Sequence, residues 1–171
     1  IDGYGNTEDY FDNLKTQVID NLMAQEYQNL LRQAYADTVR DSIEANERVA
    51  SALDQAPALQ TPFSDSELSR SFRAIATMIA VREHLGMRRQ TFFVQLGGWD
   101  HHDEVIDNQA AMFPVVSRAL AEFDAALNEL GVANQVTTFT ASDFGRTLTS
   151  NGRGSDHAWG GHQMVMGGAV R

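Results

Sequence analysis

The sequence contains no cysteine. That excludes disulfide scaffolds, thiolate metal sites and cysteine nucleophiles, and leaves any metal to histidine, carboxylate and water. It also has no apolar run near the roughly 20 residues that a membrane-spanning helix needs, so no span is expected. Basic residues are few: 13 Lys and Arg against 23 Asp and Glu give a formal net charge of -10. A phosphate backbone is held by clustered cations that displace its counterions, so nucleic acid is not an expected partner. The opening Ile1-Asp2-Gly3-Tyr4 lacks the basic-then-apolar layout of a secretory leader, and there is no initiator Met. A strand-like run close to the C-terminal end, with nothing to cap it, adds to the expectation that the chain is part of a longer protein.

What remains is 43% hydrophobic over 171 residues, enough for one core. From Glu8 to about Leu53 the residues Phe11, Leu14, Val18 and Leu22, then Tyr27, Leu30, Leu31, Tyr35, Val39 and Ile43, recur at helical spacing. They predict two helices, or one bent helix, with Thr7 as the N-cap. Gln55 to Phe63, with Pro57 and Pro62, is a linker. A helix follows it, capped by Ser64 or Ser66, with Leu68, Phe72, Ile75, Ala76, Ile79 and Ala80 on its apolar face, and it ends at Gly86.

The mostly apolar run Thr91 to Leu96 predicts a strand buried on both faces. Phe113 to Leu130 is an amphipathic helix closed by Gly131, and Val136 to Thr140 is a second strand. Strand, helix and strand in this order predict a right-handed βαβ crossover with parallel strands. Gln163 to Met166 supplies a third strand. The expected organisation is a helical region and linker over 1–63, an insertion or lid, and part of an α/β core over 64–171.

In an open parallel sheet, ligands collect beyond the carboxyl ends of the strands. There the chain places Trp99-Asp100-His101-His102-Asp103-Glu104 and Ser142-Asp143-Phe144-Gly145-Arg146. Oxygen and imidazole ligands without cysteine suit a divalent ion in a catalytic rather than a structural site. Zinc is the first expectation, with manganese, calcium or iron as alternatives. Asp100 and His102, two apart on an extended segment, point the same way and His101 the other. Asp143 is a metal ligand with Arg146 as a clamp for an anion, or the two form an ion pair that pins the loop. Asp156 and His157 follow a glycine-rich loop and are further ligand candidates, as is His162. His84, at a helix end, is read as a cation facing the helix dipole. A serine triad at Ser142 lacks the glycine two residues earlier that a nucleophile elbow requires.

Five ordered motifs carry a family resemblance: Arg89-Gln90-Thr91-Phe92-Phe93-Val94, Gly98-Trp99-Asp100-His101-His102, Ser142-Asp143-Phe144-Gly145-Arg146-Thr147, Gly154-Ser155-Asp156-His157 and Gly167-Gly168-Ala169-Val170. From roughly Ser66 to Arg171 the chain resembles the bacterial family called domain of unknown function 1501, with a looser helical match before that. The family is similar in turn to the alkaline phosphatase and sulfatase superfamily. This implies a doubly wound, mostly parallel α/β sheet, metal-dependent hydrolysis of a small phosphate or sulfate ester, and twin-arginine export to the periplasm or beyond. On that resemblance Asp100 and His102 fall on a metal motif, and Asp143 falls on an Asp-His pair in which Phe144 replaces the histidine. Asp156 with His157, or His162, stands near the last metal histidine. The nucleophile and first metal aspartate of the superfamily belong to an N-terminal segment that this chain lacks. A non-catalytic exported protein with a degenerate site is the alternative, and the acidic charge, which repels anions, sits awkwardly with an anion hydrolase.

Overall fold

The computed structural model describes residues 4–170. The chain forms two compact units, Ile1–Asp54 and Gln55–Arg171.

The first unit is a pair of helices, α1 (Tyr10–Met23) and α2 (Leu30–Asp54), packed on each other. The cap of α1 is Asp9 rather than Thr7: its carboxylate accepts from the amides of Phe11 and Asp12 at 2.9 and 3.0 Å. A carboxylate at this position both satisfies amides that lack helical partners and complements the positive end of the helix dipole. Asn29 does the same for α2, its Oδ1 accepting from Leu31 and Arg32 at 3.1 Å each. In these helices only Ala36 and Ala52 are buried.

The second unit holds the core. Its helix α3 (Glu67–Ala80) is capped by Ser66, whose hydroxyl accepts from the Ser69 amide at 3.1 Å. Leu68, Phe72, Ala76 and Ile79 recur on one face and bury against Ala119, Phe123, Ala126 and Leu127 of α4 (Val105–Glu129) and against Val132. The Phe72 and Phe123 rings stack with centroids 4.8 Å apart. At the end of α4, Gly131 takes φ of 69°. This lets Val132 N–H reach the Leu127 carbonyl at 2.9 Å and Gly131 N–H reach Asn128 at 3.0 Å, a Schellman ending with buried Leu127 and Val132 closing it. The linker is pinned to this helix: the Glu129 carboxylate accepts from the Gln60 amide, the Thr61 amide and the Thr61 hydroxyl at 2.7, 2.8 and 2.6 Å. α4 starts eight residues before the expected Phe113 and runs through Pro114. The missing proline N–H leaves the carbonyl of Ala110, an exposed residue, without its helical donor, which water can replace.

The doubly wound, mostly parallel, alkaline-phosphatase-like sheet is not what the chain forms. Among the described residues the ladders are two small antiparallel pairs. One joins β1 (Thr138–Phe139) to β4 (Val165–Met166), and the other joins β2 (Gly145–Arg146) to β3 (His157–Ala158). The expected βαβ crossover fails because Thr91 to Leu96 is in no ladder. Val94 and Leu96 pack on the core while Phe93 is 87% exposed, so this extended segment covers the core with one face instead of being buried on two. With that partner gone, Thr138 and Phe139 pair instead with Met166 and Val165, the far end of a long excursion that contains β2 and β3. No helix among the described residues is long and apolar enough to cross a membrane.

Candidate functional site

A loop after Gly98, turned at Asp100 by a hydrogen bond from the His101 amide to the Trp99 carbonyl at 2.9 Å, carries Asp100 and His102, and β3 carries His157. One ligand atom from each of the three lies within 4.8 Å of the others. The Asp100 carboxylate is the hub: its Oδ1 is 2.6 Å from His157 Nε2, 3.0 Å from His102 Nε2 and 3.1 Å from a terminal guanidinium nitrogen of Arg146. The hydrogen bond from His157 is the largest influence on this carboxyl; it outweighs the opposing desolvation and, with the charges of His157, His102 and Arg146, holds the group below its ordinary range. Asp100 and His102 do share a side. His101 lies near the Trp99 ring, at 6.5 Å between centroids, with a buried Nε2 that has no hydrogen-bond partner.

Each group around the hub is held by another. His102 Nδ1 is 3.2 Å from Asp156 Oδ1, so Asp156 faces the ring from behind. A proton on Nδ1, donated to Asp156, leaves the Nε2 lone pair directed at the cluster, the arrangement in which a carboxylate orients a metal-binding imidazole. The main chain at His102 is fixed from the glycine-rich loop. Asn151 Nδ2 donates to the His102 carbonyl at 3.0 Å, and Asn151 Oδ1 accepts from the Gly154 amide at 2.7 Å. Gly154 is buried, and any Cβ there would collide with the His102 carbonyl. The loop thus serves close backbone approach to His102. Beside it, Glu104 adopts a left-handed φ of 50° at the start of α4, and Arg153 bonds its carboxylate at 3.2 Å.

Arg146 sits in β2 across from His157 and is the most buried charged group here, with a side chain 17% exposed. It donates to the carbonyls of Ser155 and, at 3.1 Å, Trp99 as well as to Asp100, so it ties three segments together. Its carboxylate partner is Asp100 and not Asp143. Asp143 and His162 are exposed and are not among the clustered ligand atoms. Ser142 donates to the Phe144 carbonyl at 2.9 Å. Phe144, where the superfamily resemblance called for histidine, stacks on His157 at 4.3 Å and 15°.

Asp100, His102 and His157 are the residues that could hold a divalent ion. Ligands about 2.0–2.1 Å from zinc in a tetrahedral arrangement lie roughly 3.3 Å from one another. The hydrogen-bond spacings of 2.6 and 3.0 Å around Asp100 Oδ1 therefore need to open by well under about 1 Å. Sequence reasoning missed the roles of Asn151, Gly154 and Phe144. The Gly152-Arg153-Gly154 spacing was their only local signal.

The sequence model of the family described as Protein of unknown function (DUF1501) matches residues 5–171, and the chain belongs to that family. No curated protein and no solved structure matches the chain.

Proposed function

We propose that this family member is an exported metal-dependent hydrolase in which Asp100, His102 and His157 hold one divalent ion, zinc first. Its substrate in this reading is a small phosphate or sulfate ester. The observation that carries the reading is the approach of three ligand atoms to within 4.8 Å, two from the segment holding Asp100 and His102 and one from β3. Two imidazoles and one carboxylate are the set found where zinc keeps a coordination position open. The bound ion supplies charge stabilisation at the ester oxygen and a water of lowered pKa. Asp156 holds His102 with Nε2 inward, and Arg146 locks the Trp99 and Ser155 backbone around Asp100. Support for the ester substrate and for export comes from the motif resemblance alone, not from any shared sheet.

One observation favours a second reading, a non-catalytic metal- or ligand-binding site. Arg146 turns its donors to the chain, and the side chains of Asp100, His102 and His157 are about half exposed, at 56%, 49% and 47%. The apolar groove between α4 and β4, lined by Phe113, Leu120, Met164 and Met166, includes none of the cluster residues.

Elemental analysis of the full-length protein, with turnover of aryl phosphate and aryl sulfate before and after chelation, separates these. Stoichiometric metal with chelator-sensitive turnover is expected, and both should be lost in Asp100→Asn and His157→Ala. Metal without turnover supports the second reading, and absence of metal overturns the hydrolase together with the metal-binding form of the second reading. Cell fractionation tests export directly: a cytoplasmic full-length protein overturns it.

A further inference from the structure

We propose that Phe144 is a positioning residue for His157, its ring holding the imidazole plane so that Nε2 faces Asp100. The functional value of this role rests on the metal reading above. His157 sits in a strand of two residues with a side chain 47% exposed, surroundings that by themselves leave a side chain several rotamers. Two ring contacts remove that freedom. The Phe144 ring lies 4.3 Å away at 15°, and the His102 ring 4.9 Å away at 29°. The Phe144 contact is the closer and more nearly parallel of the two, a stacked pair slightly tighter than the roughly 4.5–7 Å usual between aromatic rings.

Phe144 is itself anchored. Its carbonyl accepts from Ser142 Oγ at 2.9 Å, and the Arg146 guanidinium carbon lies 5.1 Å from its ring centre. The next residues, Gly145 and Arg146, pair with Ala158 and His157. The same short ladder therefore carries both the ring and the imidazole it faces. A phenyl ring also brings no donor or acceptor that could draw either imidazole nitrogen away from Asp100. A histidine at 144 would compete for that carboxylate, whereas phenylalanine leaves His157 and His102 as its imidazole partners.

The test uses the whole chain with zinc alone as probe, read by calorimetry and by the imidazole proton resonances of His157. Phe144→Leu keeps an apolar side chain and removes the aromatic face, while Phe144→Tyr keeps the face. Phe144→Met stands in for the leucine variant if that one fails to fold. In Phe144→Leu the ring-current displacement of the His157 resonances disappears and zinc binds on the order of 10- to 100-fold more weakly, the usual cost of losing a group that orients a ligand. Phe144→Tyr restores both, and helical content is unchanged throughout. Wild-type resonances and wild-type zinc affinity in Phe144→Leu overturn the proposal. If the wild-type chain takes up no zinc, the metal reading falls and the through-space contacts of the His157 ring protons decide: an imidazole that still faces Asp100 in Phe144→Leu overturns the positioning role, and one that turns away in Phe144→Leu but faces Asp100 in Phe144→Tyr upholds it.

Discussion

Ile1–Asp54 and Gln55–Arg171 both carry apolar residues at helical spacing, but they dispose of them differently. In the first unit Phe11, Leu30, Leu31 and Tyr35 are 74%, 85%, 82% and 70% exposed, and only two alanines in its helices are buried. In the second, Leu68, Phe72 and Ile79 of α3 close on Phe123 and Leu127 of α4. Two helices present little facing surface, so the apolar stripes of α1 and α2 stay at the rim of their contact. α3 and α4 are joined by Val132, Val94, Leu96 and the linker residues Leu59 and Phe63, which complete an enclosure. Caps and local hydrogen bonds therefore matter more to the first unit, and burial matters more to the second.

The largest expected effect is Phe123→Ala, which should destabilise the second unit by about 3–5 kcal/mol through a cavity under Phe72. Phe11→Ala, at a residue 74% exposed, should stay within about 0.5 kcal/mol. Segment-resolved hydrogen exchange reports each unit, and equal losses from the two substitutions would erase the contrast. Next comes Gly154→Ala: overpacking against the His102 carbonyl costs about 1–3 kcal/mol and displaces His102, a ligand of the proposed ion. Zinc calorimetry should then show weaker binding while the protection of α3 and α4 is largely kept.

Cap removal is smaller and sharpens the comparison. Ser66→Ala and Asp9→Ala each cost about 1 kcal/mol. In α3 that loss is absorbed by the core, whereas α1 should fray measurably by circular dichroism and exchange. A fully protected α1 in Asp9→Ala would show that burial, not capping, holds it.

Opposite pH limits give the mildest test. Three hydrogen bonds from Gln60 and Thr61 keep the Glu129 carboxyl below its ordinary range. Its folded pKa is lower than its unfolded one, so its contribution is complete above the ordinary glutamate range and fades as pH falls through the depressed folded value. The hydrogen bond to Asp20 raises the Tyr4 phenol from about 10 to about 12. That contribution is complete below pH 10 and is lost as pH rises towards 12. Acid should loosen the linker on α4, and alkali the contact of Tyr4 with α1. Exchange at the Gln60 and Thr61 amides and tyrosinate absorbance follow the two limits. Linker exchange that does not change as Glu129 protonates would show that those bonds contribute nothing.

Part of the site was legible residue by residue. Asp100 and His102 do meet, although through a turn at Asp100 rather than the alternation of an extended segment, and Gly131 marks the end of α4. Other parts carried no local signal. Thr91 to Leu96 has the composition of a buried strand, but a ladder needs a partner, and no neighbouring residue specifies one. Arg146 lies three residues from Asp143 in sequence, yet it meets Asp100 because β2 turns it towards the Trp99 carbonyl. α4 begins eight residues before the expected Phe113, and the left-handed residue Glu104 marks that start.

The sequence by itself determined the helical segments, the Ser66 cap of α3 and the supply of carboxylate and imidazole groups, since these follow from spacing and side-chain chemistry within a few residues. Strand partners, the exposure of the α1 and α2 faces, and the meeting of His102, His157, Asp156 and Phe144 around Asp100 were decided only by the tertiary structure. They depend on contacts between residues from 11 to 57 positions apart, and such pairings are selected by the closure of the whole chain rather than by local preference.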